Sequence, residues 1–168
     1  GEAVASVSTK ENKYKNIPTE IEVGENDAYV HITSNNTIYG TQWKTFPETG
    51  NVPLIADMSS DIMSKPVDIS KFGMIYAGAQ KNLGPSGVTV AIIRKDLLES
   101  ANTNLPTMLK YDTFVANNSL YNTPPTFGIY MLGEVLKWIE AQGGLEQVAK
   151  NNEAKAALIY DAIDNSNG

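Results

Sequence analysis

A lysine placed just beyond an apolar run carries the strongest chemical signal in the sequence. Met74-Ile75-Tyr76-Ala77-Gly78 leads through Ala79-Gln80 into Lys81, and Asn82-Leu83-Gly84-Pro85-Ser86-Gly87 follows as a loop crowded with glycine and proline. Lysine is the side chain that forms a Schiff base with an aldehyde, given enough desolvation for its neutral amine to be accessible. A surface lysine in a hairpin turn would present the same local string. A second group sharpens the reading: Asp57 ends the apolar run Leu54-Ile55-Ala56-Asp57 and is followed by Met58-Ser59-Ser60. A carboxylate at the C-terminal end of a strand lies where α/β sheets bind ligands. Beneath a pyridine ring it would pair with the ring nitrogen and keep it protonated; a carboxylate capping the next helix is the structural alternative. Asp57 and Lys81 together, each at a strand end and one crossover apart, carry more than either alone.

These residues need a sheet to position them. Apolar, β-branched runs at residues 4–8, 28–33, 52–57, 73–77 and 88–94 read as strands. Three of them are nearly continuous in apolar character, the pattern of strands buried on both faces. Asp68-Ile69-Ser70-Lys71-Phe72, between the runs at 52–57 and 73–77, has room for a short helix or turn at most. Beyond residue 124 the period changes. Ile129, Leu132, Val135, Leu136 and Ile139 recur at helical spacing over 126–141, and Gln142-Gly143-Gly144 stops that helix. A second helix is predicted over 145–163, with Leu145, Val148, Leu158, Ile159 and Ile163 inward, and 165–168 reads as a turn. The chain starts abruptly in a predicted strand and ends on helices leading elsewhere, so it reads as a fragment of a longer protein.

Three motifs resemble the phosphoserine aminotransferases, within the aspartate-aminotransferase-like fold group: Ala56-Asp57-Met58-Ser59-Ser60, Ile75-Tyr76-Ala77-Gly78-Ala79-Gln80-Lys81-Asn82, and Tyr121-Asn122-Thr123-Pro124-Pro125-Thr126. The resemblance runs from about Tyr29 to Asn167. It implies a three-layer α/β/α core, with residues 1–124 as part of a pyridoxal-phosphate-binding large domain and 125–168 linking to a small C-terminal domain absent from this chain. It implies that Lys81 bears pyridoxal 5'-phosphate as a Schiff base and shuttles the proton, and that Asp57 partners the pyridine nitrogen. Thr37 matches a threonine that hydrogen-bonds the cofactor's phenolic oxygen, and Gln80 a glutamine that helps hold its phosphate. Asn122 and Thr123 match a pair reaching across a homodimer interface to the neighbouring subunit's cofactor phosphate. The implied reaction is amino transfer between glutamate and 3-phosphohydroxypyruvate, a step of serine biosynthesis, with a related substrate of pyridoxine biosynthesis also open.

Composition fits and bounds this reading. The 168 residues carry a formal charge of −6, with 42% hydrophobic and 19% charged residues, and no block of basic residues. That excludes the footprint of a nucleic-acid or anionic-membrane binder. No segment is long and apolar enough to span a membrane, and no signal pattern opens the chain, so a cytoplasmic protein is expected. The lack of cysteine and the single histidine, His31, leave no expected metal site; mid-strand, His31 reads as a satisfied structural residue. Arg94 is the only arginine, which the resemblance explains: the substrate-binding arginines and the ring stacked on the cofactor belong to segments outside this chain. Arg94 itself reads as a solvated surface residue. Trp43 does not match the stacking ring, and Trp138 reads as a packing residue on its helix. Two rivals stay open: another aminotransferase-like enzyme, such as an alanine–glyoxylate-type transaminase or a desulfurase lacking its cysteine here, and an inactive structural or partner-binding fragment.

Overall fold

The computed structural model describes residues 1–18 and 20–166. A four-stranded sheet runs in the order β1 (Val30–Thr33), β4 (Leu54–Asp57), β5 (Met74–Gly78), β6 (Thr89–Ile93); the first three strands are parallel and β6 is antiparallel to β5. Two-residue strands β2 (Asn35–Asn36) and β3 (Thr41–Gln42) form a separate hairpin. Short helices α1 (Lys95–Glu99) and α2 (Tyr111–Val115) precede the long pair α3 (Thr126–Ala141) and α4 (Gly144–Asp164).

The register explains the core. Ile32, Ala56 and Ile75 form one row across β1, β4 and β5, and the rows before and after it point to the other face. Leu54, Ala56, Ile75 and Ala77 are buried on the first face with Trp43, Met58, Phe72 and Leu83. Leu132 and Leu136 of α3 pack against this cluster. The helix approaches so closely that a Cβ on Gly128 would lie 2.9 Å from Val88 Cγ2. At its far end the chain turns from α3 into α4 through Gly143 and Gly144, with φ of 99° and 77° that suit glycine. The link between β4 and β5 holds a 3₁₀ turn at Ile69–Lys71, where the Asp68 side chain accepts from the Ser70 N–H at 3.0 Å.

Several expectations need correcting. Residues 4–8 form no strand: no strand among the described residues pairs with them, and Val4 is 79% exposed. The apolar runs do not reflect burial on both faces. Burial alternates along β4 and β5, and β6 is largely exposed, because this chain's own packing covers one face of the sheet. The helices over 126–141 and 145–163 are present, but Leu158, Ile159 and Ile163 are exposed rather than inward, and Trp138, expected to pack, is exposed as well. Helical period marks a face that could be buried; it does not supply the surface that covers it. Asn165 and Ser166 do lie in a turn or bend, while the rest of that expected turn, Asn167 and Gly168, lies outside the described residues.

Candidate active site

The C-terminal ends of the parallel strands open into a cleft of about 500 Å³. Parallel pairing of β4 with β5 sets Asp57 opposite Tyr76, so one strand delivers the carboxylate and the next leads into the turn that carries Lys81. Lys81 and Thr37 both line the cleft, and Lys81 Nζ donates to Thr37 Oγ1 at 3.1 Å. Asp57 lines it too, half-buried, with Oδ1 accepting from the Ser59 N–H at 2.8 Å. That bond makes a tight turn after β4 and fixes the carboxylate's orientation.

The turn over residues 57–61 ties the strand ends together. Ser59 Oγ accepts from the Gly78 N–H at 3.0 Å, joining it to the end of β5. Ser60 Oγ donates to the Asn35 carbonyl at 2.9 Å and accepts from Asn35 Nδ2 at 3.0 Å, joining it to the hairpin. Ser59 and Ser60 also line the cleft, offering hydroxyl groups to an anionic or polar ligand. Tyr14 and Asn16 close the opposite wall from the N-terminal segment.

On the sheet face shared with Asp57, the Tyr76 hydroxyl is hydrogen-bonded with His31 Nε2 at 3.0 Å. Burial, and then the neighbouring Asp57 carboxylate, push the Tyr76 phenol above its ordinary value. His31 thus has the hydrogen-bond partner expected of it, on an exposed rather than buried face. Arg94 is at the surface, paired with Asp96 at 2.6 Å.

Of the residues singled out from the sequence, the structure brings Thr37, Asp57 and Lys81 to one cleft. Gln80 does not line it; its exposed side chain lies against Gly78. Asn122 and Thr123 do not line it either. They sit on the exposed segment before α3, with Asn122 Nδ2 donating to the Thr123 carbonyl at 3.2 Å. Sequence reasoning passed over Ser34, Gln42 and Asp61, which gather behind the cleft. Ser34 and Asp61 are 0% and 8% exposed, yet no periodicity marks either as inward. The one available signal is a carboxylate, Asp61, followed directly by the apolar pair Ile62-Met63.

The aminotransferase class-V family profile matches residues 4–168. The chain is 73% identical over its whole length to the phosphoserine aminotransferase of Lysinibacillus sphaericus and 62% identical to that of Alkalihalobacillus alcalophilus, covering 47% of each. It thus spans about half the length of the curated relatives it matches. Its fold superposes on the phosphoserine aminotransferase of Bacillus circulans subsp. alkalophilus with a TM-score of 0.97 at 60% identity, over 100% of this chain and 47% of that one. A pyridoxal-phosphate-bound phosphoserine aminotransferase from Trichomonas vaginalis matches at a TM-score of 0.80 and 44% identity, over 86% of this chain and 40% of that one. With the profile matching nearly the whole sequence and the strand-end cleft in place, the chain belongs to the class-V aminotransferases.

Proposed function

We propose that this chain is the lysine-bearing half of a phosphoserine aminotransferase that uses pyridoxal 5'-phosphate. The observation that carries the proposal is the convergence of Lys81, Asp57 and Thr37 on one cleft at the ends of parallel strands. The donor set suits the group: an amine for the aldehyde, a carboxylate for a basic ring nitrogen, and a hydroxyl for a phenolic oxygen. When bound, the cofactor supplies an electron sink for the charge left when an α-proton departs. Lys81 would hold it covalently through its amine and, as a free amine, would serve to accept and return the substrate's α-proton. Asp57, held by the Ser59 N–H, would keep a proton on the ring nitrogen, and Thr37 would donate to the phenolic oxygen. Gln80, adjacent to Lys81 though not lining the cleft, would help hold the phosphate. Asn122 and Thr123, which do not line their own chain's cleft, serve the neighbouring subunit's cofactor in a homodimer.

The reaction we infer exchanges an amino group between L-glutamate and 3-phosphohydroxypyruvate, giving O-phospho-L-serine and 2-oxoglutarate, in the cytoplasmic synthesis of serine. A related phosphorylated keto acid on the route to pyridoxine is a further substrate of the same chemistry. The similarity to phosphoserine aminotransferases at 62–73% identity supports this choice of substrate class. Residues 125–168 then lead from the large domain toward a small domain. Because the chain spans about 47% of those relatives, turnover belongs to the whole protein.

The test is the absorption spectrum of the whole protein with added pyridoxal phosphate, before and after borohydride reduction, followed by peptide mass mapping. The pyridoxyl mass on Lys81, lost in Lys81→Ala, is the expected result. Labelling elsewhere, or none, would overturn the assignment.

A further inference from the structure

Asp61 is a buried carboxylate with no part in the chemistry above. Its Oδ1 accepts from the hydroxyl of Ser34, and its Oδ2 accepts from Gln42 Nε2 at 2.9 Å. These two partners lie on opposite arms of the hairpin whose turn carries Thr37: Ser34 directly precedes β2, and Gln42 is the register partner of Asn35. The backbone closes the same rung, with the Trp43 N–H donating to the Ser34 carbonyl at 2.9 Å. The base of the hairpin is held further by the Ser34 N–H donating to the Asp57 carbonyl at 3.0 Å and by the Ser60–Asn35 pair, but the hairpin's tip beyond has little to hold it. Each of its strands is two residues long, too short for a ribbon to persist alone in water. At the tip Ile38 is 87% exposed and Tyr39 52%, so apolar burial does not fix it. The tip's other tethers are few: the Asn36 side chain accepting from the Ile38 and Tyr39 N–H groups at 3.2 Å, the Tyr14–Tyr39 ring pair at 4.6 Å, and the Lys81–Thr37 bond itself.

We infer that Asp61, through Ser34 and Gln42, is a positioning residue that holds the Thr37 hydroxyl against Lys81 and so against the cofactor's phenolic oxygen. The inference rests on the proposed cofactor reading. Hydrogen bonds to an ionised acceptor are roughly twice as strong as neutral ones, and a buried carboxylate stripped of donors is costly. Asp61 therefore grips both arms of the hairpin from the turn over residues 57–61, the same turn that sets Asp57 and, through Ser59, the end of β5. One rigid turn fixes the relative positions of the groups addressed to the ring nitrogen, the phenolic oxygen and the aldehyde carbon.

A double-mutant cycle in the whole protein tests this, using Gln42→Ala, Thr37→Ala and the pair. The readouts are the dissociation constant of pyridoxal phosphate and the pH midpoint of the absorption change of the Lys81-linked cofactor. Gln42→Ala is expected to weaken cofactor binding about fivefold, and to move the midpoint in the same direction as Thr37→Ala, with no further change in the pair. Ser34→Ala, which leaves no large cavity, is expected to behave likewise and serves if Gln42→Ala fails to fold. Additive effects would overturn the inference, as would a lowered melting temperature with an unmoved midpoint or no effect at all. If the unmutated protein carries no cofactor on Lys81, the functional reading itself fails and this inference falls with it. If it does, and only the coupling is missing, the inference fails alone.

Discussion

Asp57 and Tyr76 occupy facing positions on adjacent parallel strands, and each changes what the other can do. The Asp57 carboxylate is oriented by the Ser59 N–H, which leaves its second oxygen for the cleft. If it holds the proton on a pyridine nitrogen, its removal strips a preorganised charge from the site. Asp57→Ala in the whole protein is then expected to lower kcat by about 10²–10³-fold, read in a coupled transamination assay. A loss below tenfold would show that the carboxylate serves the turn rather than the ring. Tyr76 gives a separate test by pH. Its phenol lies above the ordinary value of 10.0, with burial as the largest cause and the Asp57 charge next. A group whose folded-state value is raised contributes stability that is present below the unfolded value and is lost as pH rises through the folded one. Melting temperature should therefore fall more steeply above about pH 10 in the unmutated protein than in Tyr76→Phe, which has no phenol to ionise. Parallel curves for the two proteins would refute the link. The placement of Asp57 and Lys81 at strand ends was legible in the sequence, because one ends an apolar run and the other comes shortly after one. Ser34 and Asp61 were not: hydrogen bonds between residues 27 apart bury them, and no local pattern encodes such a pairing.

The elements themselves follow from pattern where pattern and packing agree. The runs at 52–57 and 73–77 became β4 and β5, and the helix over 126–141 became α3 with the same bounds, its stop set by glycines that accept positive φ. The run at 4–8 has the same β-branched character but no partner strand among the described residues, so propensity alone did not make a strand. The packing of α3 shows the opposite case, in which contact overrides propensity. Alanine is favoured over glycine inside a helix by about 1 kcal/mol. At Gly128, however, a Cβ would meet Val88 Cγ2 at 2.9 Å, and Val88 is β-branched and stiff. Overpacking of this kind costs about 1–3 kcal/mol. Gly128→Ala is accordingly expected to destabilise the fold by about 1 kcal/mol, measured by denaturant unfolding, with the propensity gain subtracted from the packing cost. A variant that proves more stable than the parent would mean that Val88, just before β6, and α3 yield to each other at this contact.

At the scale of the whole molecule, the exposed apolar surface is the feature that burial leaves unsettled. Leu158, Ile159, Tyr160 and Ile163 of α4 are each 59–74% exposed, and Ile129, Tyr130 and Trp138 of α3 add to them. Scattered exposed apolar residues need no explanation, but a concentration on two neighbouring helices is the mark of a surface that is covered in use. The sheet adds a second open area, since β6 and the outward rows of β1 are poorly covered. The chain spans 47% of the length of its phosphoserine aminotransferase relatives, and on the function proposed above the rest of such a protein would supply the cover. The chain of 168 residues, prepared by itself, is therefore expected to bind an apolar dye such as anilinonaphthalene sulfonate and to self-associate in a concentration-dependent way. The net charge of −6 should slow this at low salt and favour it as salt screens the repulsion. Light scattering at low and high ionic strength, beside the whole protein as control, measures both effects. A monodisperse isolated chain with no dye binding would place the cover within the chain itself, requiring α3 and α4 to close on their own apolar faces.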